Sequence, residues 1–203
     1  MKLKYLPLFI FSLLVLRAHS GKAQDSQNSN TDRPWYLPDH VAIQFAGNIG
    51  LLAVGPGYSY LRDKVDTEFL YGITPGFETN TSIHIITAKT SYHPVLWEFK
   101  NGIMLEPLKI GTGISYSIGR QFHTTWPARY PDGYYWWTTS FRFTPYLGFS
   151  ISKTVGNQQS GIKRIAFSPE IGTHDLALVS FLNNKHLGFG KILNLAFNAR
   201  FIF

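Results

Sequence analysis

Three short stretches carry the side chains with which this chain could do covalent chemistry. His174 and Asp175 are adjacent, Ser180 follows in the same connection, and His123 precedes two threonines. A histidine base, an orienting carboxylate and a hydroxyl nucleophile are the components of acyl transfer and ester hydrolysis. Adjacency in sequence does not supply their geometry, and threonine is a poor nucleophile without a special base. His123, His174, Asp175 and Ser180 are therefore candidates for an alternative, enzymatic reading, and no residue is assigned as catalytic outright. The seven histidines show no H-x-x-x-H pair and no carboxylate set at ligand spacing, so no metal and no cofactor are expected. Without cysteine there is no thiolate chemistry, no disulfide and no cysteine-linked lipid anchor.

A second kind of chemistry is recognition. The segment 123–139, HTTWPARYPDGYYWWTT, gathers Trp126, Arg129, Tyr130, Tyr134, Tyr135, Trp136 and Trp137. Tyr and Trp favour the membrane–water boundary, where the ring is buried and the polar tip stays wet. The same residues with an arginine are also typical binding anchors, able to hold an extracellular ligand.

The elements that must position these residues are strands. From Leu193 to Phe203 the chain alternates: Leu193, Leu195, Phe197, Ala199, Phe201 and Phe203 on one face, Asn194, Ala196, Asn198 and Arg200 on the other. Successive side chains of a strand face opposite sides of its sheet. The same alternation predicts eight strands, at about 40–47, 51–61, 65–74, 82–92, 108–119, 140–153, 163–173 and 191–203. Each has an apolar outer face and a small or polar inner one. The inner faces collect Asp66, Glu68, Lys109, Arg142, Arg164, Glu170 and Arg200, a polar network whose charges must be paired if it is dry. The fourth strand is the least regular: with Ile83 and Ile85 outward, Lys89 shares their face, which predicts a bulge or a snorkelling lysine. Pro56, Pro145 and Pro169 predict bulges or bends, since proline cannot donate to a ladder.

Lys2 and Lys4, the apolar run 6–16 and the small residues Gly21 and Ala23 read as a cleaved signal peptide over residues 1–23. Residues 24–38 read as a flexible periplasmic lead-in and residues 39–203 as one barrel domain. Charged residues are 15% of the chain, against about 25% in a typical soluble domain. Four of the nineteen basic residues fall in the signal, leaving fifteen against twelve acidic ones. That balance is too even and too scattered for nucleic acid. The fold class predicted is all-β: an eight-stranded antiparallel transmembrane up-and-down β-barrel after a cleaved signal peptide. A secreted β-sandwich is the alternative fold.

The final strand resembles the closing strand of bacterial outer-membrane barrels. In those, apolar residues at alternate positions back from a terminal Phe are read by the barrel-assembly machinery. The resemblance gives Leu195, Phe197, Phe201 and Phe203 as the assembly signal. GNIGLLAVGPGYSYLRDKVDTEFLYGITP, with its Tyr71-Gly72-Ile73-Thr74-Pro75 ending, is similar to the opening of small outer-membrane barrels of Bacteroidetes type. EPLKIGTGISYSIGRQF, SPEIGTHD and KILNLAFNARFIF fit the same pattern. This implies a monomer in the bacterial outer membrane, in contact with its lipids including lipid A, in a group largely without assigned activity. The role expected is structural or surface interaction. Some eight-stranded barrels act on lipid A as a deacylase with a His-x-Ser pair and a carboxylate, or as a palmitoyltransferase with a His and a Ser near the outer rim. This chain has no His-x-Ser, so a lipid A-modifying deacylase or acyltransferase at the outer rim stands as the alternative function. A small-solute channel would need a wet lumen, which the inward arginines oppose.

Overall fold

The computed structural model describes residues 34, 36–76, 81–119, 122, 140–156, 161–184 and 186–203. Eight of its strands close into an antiparallel barrel: β1 (His40–Ala46), β2 (Leu52–Tyr60), β3 (Val65–Thr74), β4 (Ile83–Tyr92), β6 (Ile103–Ile118), β7 (Phe141–Thr154), β8 (Arg164–Gly172) and β9 (Asn194–Ile202). Consecutive barrel strands pair, β4 pairs β6, and β9 returns to β1, so the sheet closes on itself. The extra strand β5 (Trp97–Glu98) pairs with the start of β6 through a turn at Lys100–Gly102. This extended hairpin accounts for the long connection after β4.

The ladder registers fix a steep strand tilt. The circuit leaving β6 at Tyr116 passes Ile86, Tyr71, Val54, Ile43, Ala199, Phe167 and Ile151. It re-enters β6 at Leu105, eleven residues from Tyr116. Such a shear tilts the strands strongly against the barrel axis and gives eight strands an interior just wide enough for side chains. Every residue of that circuit points outward, and almost all are large and apolar. Phe69, Leu147, Phe149, Ile171 and Leu195 extend the band. The buried side chains are largely polar: Gln44, Asp66, Glu68, Lys89, Glu106, Lys109, Glu170, Asn198 and Arg200. The barrel is apolar outside and charged inside.

Three expectations change. In β4 the even positions His84, Ile86, Ala88, Thr90 and Tyr92 face outward, while Ile85, Thr87, Lys89 and Ser91 are buried in the lumen. The β3–β4 ladder runs without a break, so neither a bulge nor a snorkelling lysine is present. Polar Thr87, Lys89 and Ser91 outweigh a single inward Ile85. Pro56, Pro145 and Pro169 do lie on the outward face but shift no register; the ladders merely skip pairs beside Pro56 and opposite Pro169. The one register shift is between Glu106 and Lys109, at Pro107. It lets two charged residues three apart both point inward.

The barrel has two unlike ends. At the terminal end lie the start of β1, β4's exit, the β5 hairpin and the last residues of β9. The β2–β3 turn holds Leu61, Arg62 and Asp63 in succession at positive φ (55°, 58° and 62°), a left-handed run that L-residues adopt at a cost. At the opposite, loop end, the β8–β9 connection carries helix α1 (Asp175–Asn183). No described helix is long and apolar enough to cross a membrane.

Candidate functional site

The lumen is the most organised polar region of the described chain, and it divides into two clusters. The middle cluster is built on alternate inward positions of β3, β4, β6 and β8. Glu170 bridges two lysines, its Oε2 at 2.6 Å from Lys89 Nζ and its Oε1 at 2.8 Å from Lys109 Nζ. Lys89 also donates to Gln44 Oε1 at 2.8 Å and lies 3.8 Å from Glu68. Glu68 accepts from Asn198 Nδ2 at 3.1 Å, and His40 Nε2 is 3.6 Å from its other oxygen. Two carboxylates face two ammonium groups, so the cluster is balanced. The Tyr146 ring lies 4.5 Å from Lys89 Nζ, adding a cation–π contact, and the Tyr146 hydroxyl donates to Thr90 O at 3.2 Å.

Inward glycines make the room for this packing. A Cβ at Gly111 would overlap the Tyr146 ring, and one at Gly57 would overlap the His40 ring. The space left by these two glycines is thus filled by rings.

The second cluster is at the terminal end. Arg200 reaches Asp66, Glu106 at 3.0 Å and Ser150 Oγ at 3.0 Å. His93, one residue past β4 and wholly buried, is wedged between the same two carboxylates. Its Nε2 is 3.0 Å from Asp66 Oδ2 and its Nδ1 2.7 Å from Glu106 Oε2. Ser59 Oγ donates to Asp66 Oδ1 at 2.7 Å. Burial alone would lower the His93 pKa, but the touching Asp66 and Glu106 carboxylates outweigh it and raise it above the ordinary histidine value. Two carboxylates face one guanidinium here, and only a protonated His93 balances the charge.

The clusters separate two cavities. Toward the loop end, a space of about 30 Å³ lies among Gln44, Lys89, Thr144, Tyr146 and Glu170 under Asn48 and Ile49. That is room for a water molecule rather than a solute. Ile49 is folded inward against Ala42, Ala53 and Leu70 and caps this side. At the terminal end a cavity of about 230 Å³ is lined by Asp39, Ser59, Asp63, Asp66, Glu106, Arg164 and Arg200. No lining residue is shared between the two cavities.

The structure brings Asp66, Glu68, Lys109, Glu170 and Arg200 into these clusters. It leaves Arg142 and Arg164 toward opposite ends. Arg142 donates to Phe141 O, while Arg164 pairs with Asp63 at 3.1 Å and contacts Met104 Sδ. Lys89, His93, His40 and Glu106 are members that strand parity alone misplaces or omits. A polar stripe at Thr87, Lys89 and Ser91 is the sequence signal that finds Lys89. The Glu106-Pro107 dipeptide is the signal for the bulge that turns Glu106 inward. His93 is a lumen residue, buried between Asp66 and Glu106.

The enzymatic candidates are differently placed. His174 is the N-cap of α1 and its Nδ1 accepts from Ala177 N at 3.2 Å. Burial, and then Arg142, push its pKa down, against the opposing pull of Asp175. Asp175 begins α1 and is buried; Ser180 is exposed, about 9 Å further along the helix axis than His174. Among the described residues no hydrogen bond or ion pair joins His174, Asp175 and Ser180. His123 and the aromatic set Trp126, Arg129, Tyr130, Tyr134, Tyr135, Trp136 and Trp137 lie outside the described residues. On β9, Leu195 and Phe197 are exposed on the outward face and Phe201 and Phe203 half-buried at its end.

No protein-family model, curated protein or solved structure matches the chain.

Proposed function

We propose that this protein is an integral outer-membrane β-barrel with a plugged lumen, acting as a structural or surface-interaction protein rather than as a pore. The observation that carries the reading is the inversion of polarity across the wall. A soluble barrel places polar side chains outside. Here the outward circuit from Tyr116 through Ile86, Val54, Ile43 and Phe167 to Leu105 is apolar around the whole barrel. Soluble monomers rarely expose a contiguous apolar patch beyond a few hundred Å². Hydrocarbon is the solvent that such a band fits, and a closed barrel is the strand architecture that satisfies all backbone groups within it.

The buried ion pairs fit the same reading, since the lumen of a narrow membrane barrel is its polar core. With the signal peptide removed, the terminal end faces the periplasm and α1 faces outside. Trp97 and Phe99 are about half exposed at the terminal end, where an inner aromatic girdle would lie.

The direct test is fractionation of cells expressing the full chain. The expected outcome is a heat-modifiable, carbonate-resistant band in the outer membrane. Recovery in the soluble periplasmic fraction overturns the proposal. Lipid A mass spectrometry with the wild type and with His123→Ala and His174→Ala addresses catalysis. An unchanged acyl pattern is expected; a pattern that changes with the wild type and reverts in either variant identifies an enzyme.

A further inference from the structure

We infer that α1 is an interfacial element that lies in the outer leaflet and seals the exposed edge of β7, with lipid as its partner. The inference rests on the membrane reading above. Three observations carry it.

First, β7 is longer than its neighbour. Its partner β8 ends at Gly172, opposite Tyr146, so residues 141–145 pair only with β6. Thr173 N still donates to Pro145 O, and the chain then turns into α1, which packs against β7. A free strand edge in hydrocarbon leaves backbone groups unsatisfied, and a covering helix is one of the few remedies.

Second, the helix exposes two leucines, and its exposed polar side chains, Ser180 and Asn183, carry no charge. Its sequence is DLALVSFLN. Asp175, the one charged residue, is buried, while Leu178 is 38% and Leu182 72% exposed. Phe181 stacks edge-on against Phe189 at 5.6 Å, and Phe189 is itself 58% exposed. A short helix that exposes leucines beside uncharged polar groups suits the boundary between water and lipid.

Third, the segment grows out of the apolar band. Its flanks are Ile171 and Leu195, which pair across β8 and β9 and are both about half exposed on the outward face. The segment that carries α1 and Phe189 therefore leaves and rejoins the barrel within the apolar wall. That attachment selects the acyl–headgroup boundary over a protein partner, because on the membrane reading such a boundary surrounds both flanks.

The chain has no cysteine, so single-cysteine variants carry a unique spin label. Leu182→Cys reports on α1, Leu147→Cys on the barrel wall, and Gly161→Cys, in open space, on water. The full-length mature protein is reconstituted in phosphatidylethanolamine–phosphatidylglycerol vesicles. Accessibility to oxygen, which concentrates in lipid, is compared with accessibility to a water-soluble nickel chelate. The expected result is an oxygen-dominated signal at Leu182→Cys, on the side of Leu147→Cys and away from Gly161→Cys. A nickel-dominated signal at Leu182→Cys, or shielding from both reagents, with Leu147→Cys still oxygen-dominated, overturns the assignment of α1 alone. A nickel-dominated Leu147→Cys overturns the membrane reading and this inference with it.

Discussion

The two charged clusters of the lumen use similar residues to different ends. In the middle, Glu68 and Glu170 meet Lys89 and Lys109, and these four charges balance among themselves. At the terminal end, Asp66 and Glu106 share one arginine and need a protonated His93 to complete the balance. The first is a fixed plug. The second is a plug whose charge depends on one proton, and it borders the larger cavity. Buried charge is tolerated in either place only because each group has a partner; the nature of the last partner decides whether the cluster responds to pH.

The comparison breaks most visibly at Arg200. Arg200→Met leaves Asp66 and Glu106 buried with only His93 between them. It should cost about 3–5 kcal/mol of stability, read by urea unfolding in detergent or vesicles. A cost near zero would mean that water already screens the terminal cluster. Glu170→Gln is the corresponding cut in the middle cluster. It should cost somewhat less, about 2–3 kcal/mol, because glutamine still accepts hydrogen bonds and Glu68 remains near Lys89. Adding Lys109→Met to Glu170→Gln removes the surplus cation and should recover part of the loss. Simple additivity of the two substitutions would argue against direct coupling.

The pH response sharpens the distinction further. His93 holds its proton more tightly in the folded protein than in the unfolded chain. Its stabilisation is therefore complete below about 6.5, the ordinary histidine value, and is lost as pH rises through the higher folded value. Unfolding measured across that range should show the wild type losing stability toward alkaline pH. His93→Gln should be flatter, while Glu170→Gln should keep the wild-type slope. An unchanged slope in His93→Gln would remove the histidine from the mechanism. The smallest effect is expected outside both clusters. Arg164 pairs with an Asp63 that is half exposed, so Arg164→Ala should cost under about 1 kcal/mol and the loss should shrink in salt.

Much of the wall was legible because alternation is a local property. Outward Ile43, Val54, Phe143 and Phe197 and inward Asp66, Glu68, Glu170 and Arg200 follow from period two alone. The fourth strand was not, because Ile83, Ile85 and Lys89 share one face, the isoleucines arguing that it points outward and the lysine that it points inward. Only the neighbours, Glu170 from β8 and Gln44 from β1, decide that the lysine belongs inside. His93 escaped for a related reason: it stands beyond a strand end, where alternation no longer speaks.

The sequence by itself determined the eight strands of the barrel, though not the short β5, and with them their two-faced character and the stock of charges available for the interior. It did so because side-chain direction along a strand depends on nothing beyond the backbone repeat. The tertiary structure decided which charges meet. Pairing partners such as Lys89 and Glu170 are 81 residues apart and come together only through the shear of the closed barrel. The bulge at Pro107 then sets whether Glu106 reaches Arg200 or faces away. Register and closure are global quantities, fixed by all eight ladders at once, and no local pattern encodes them.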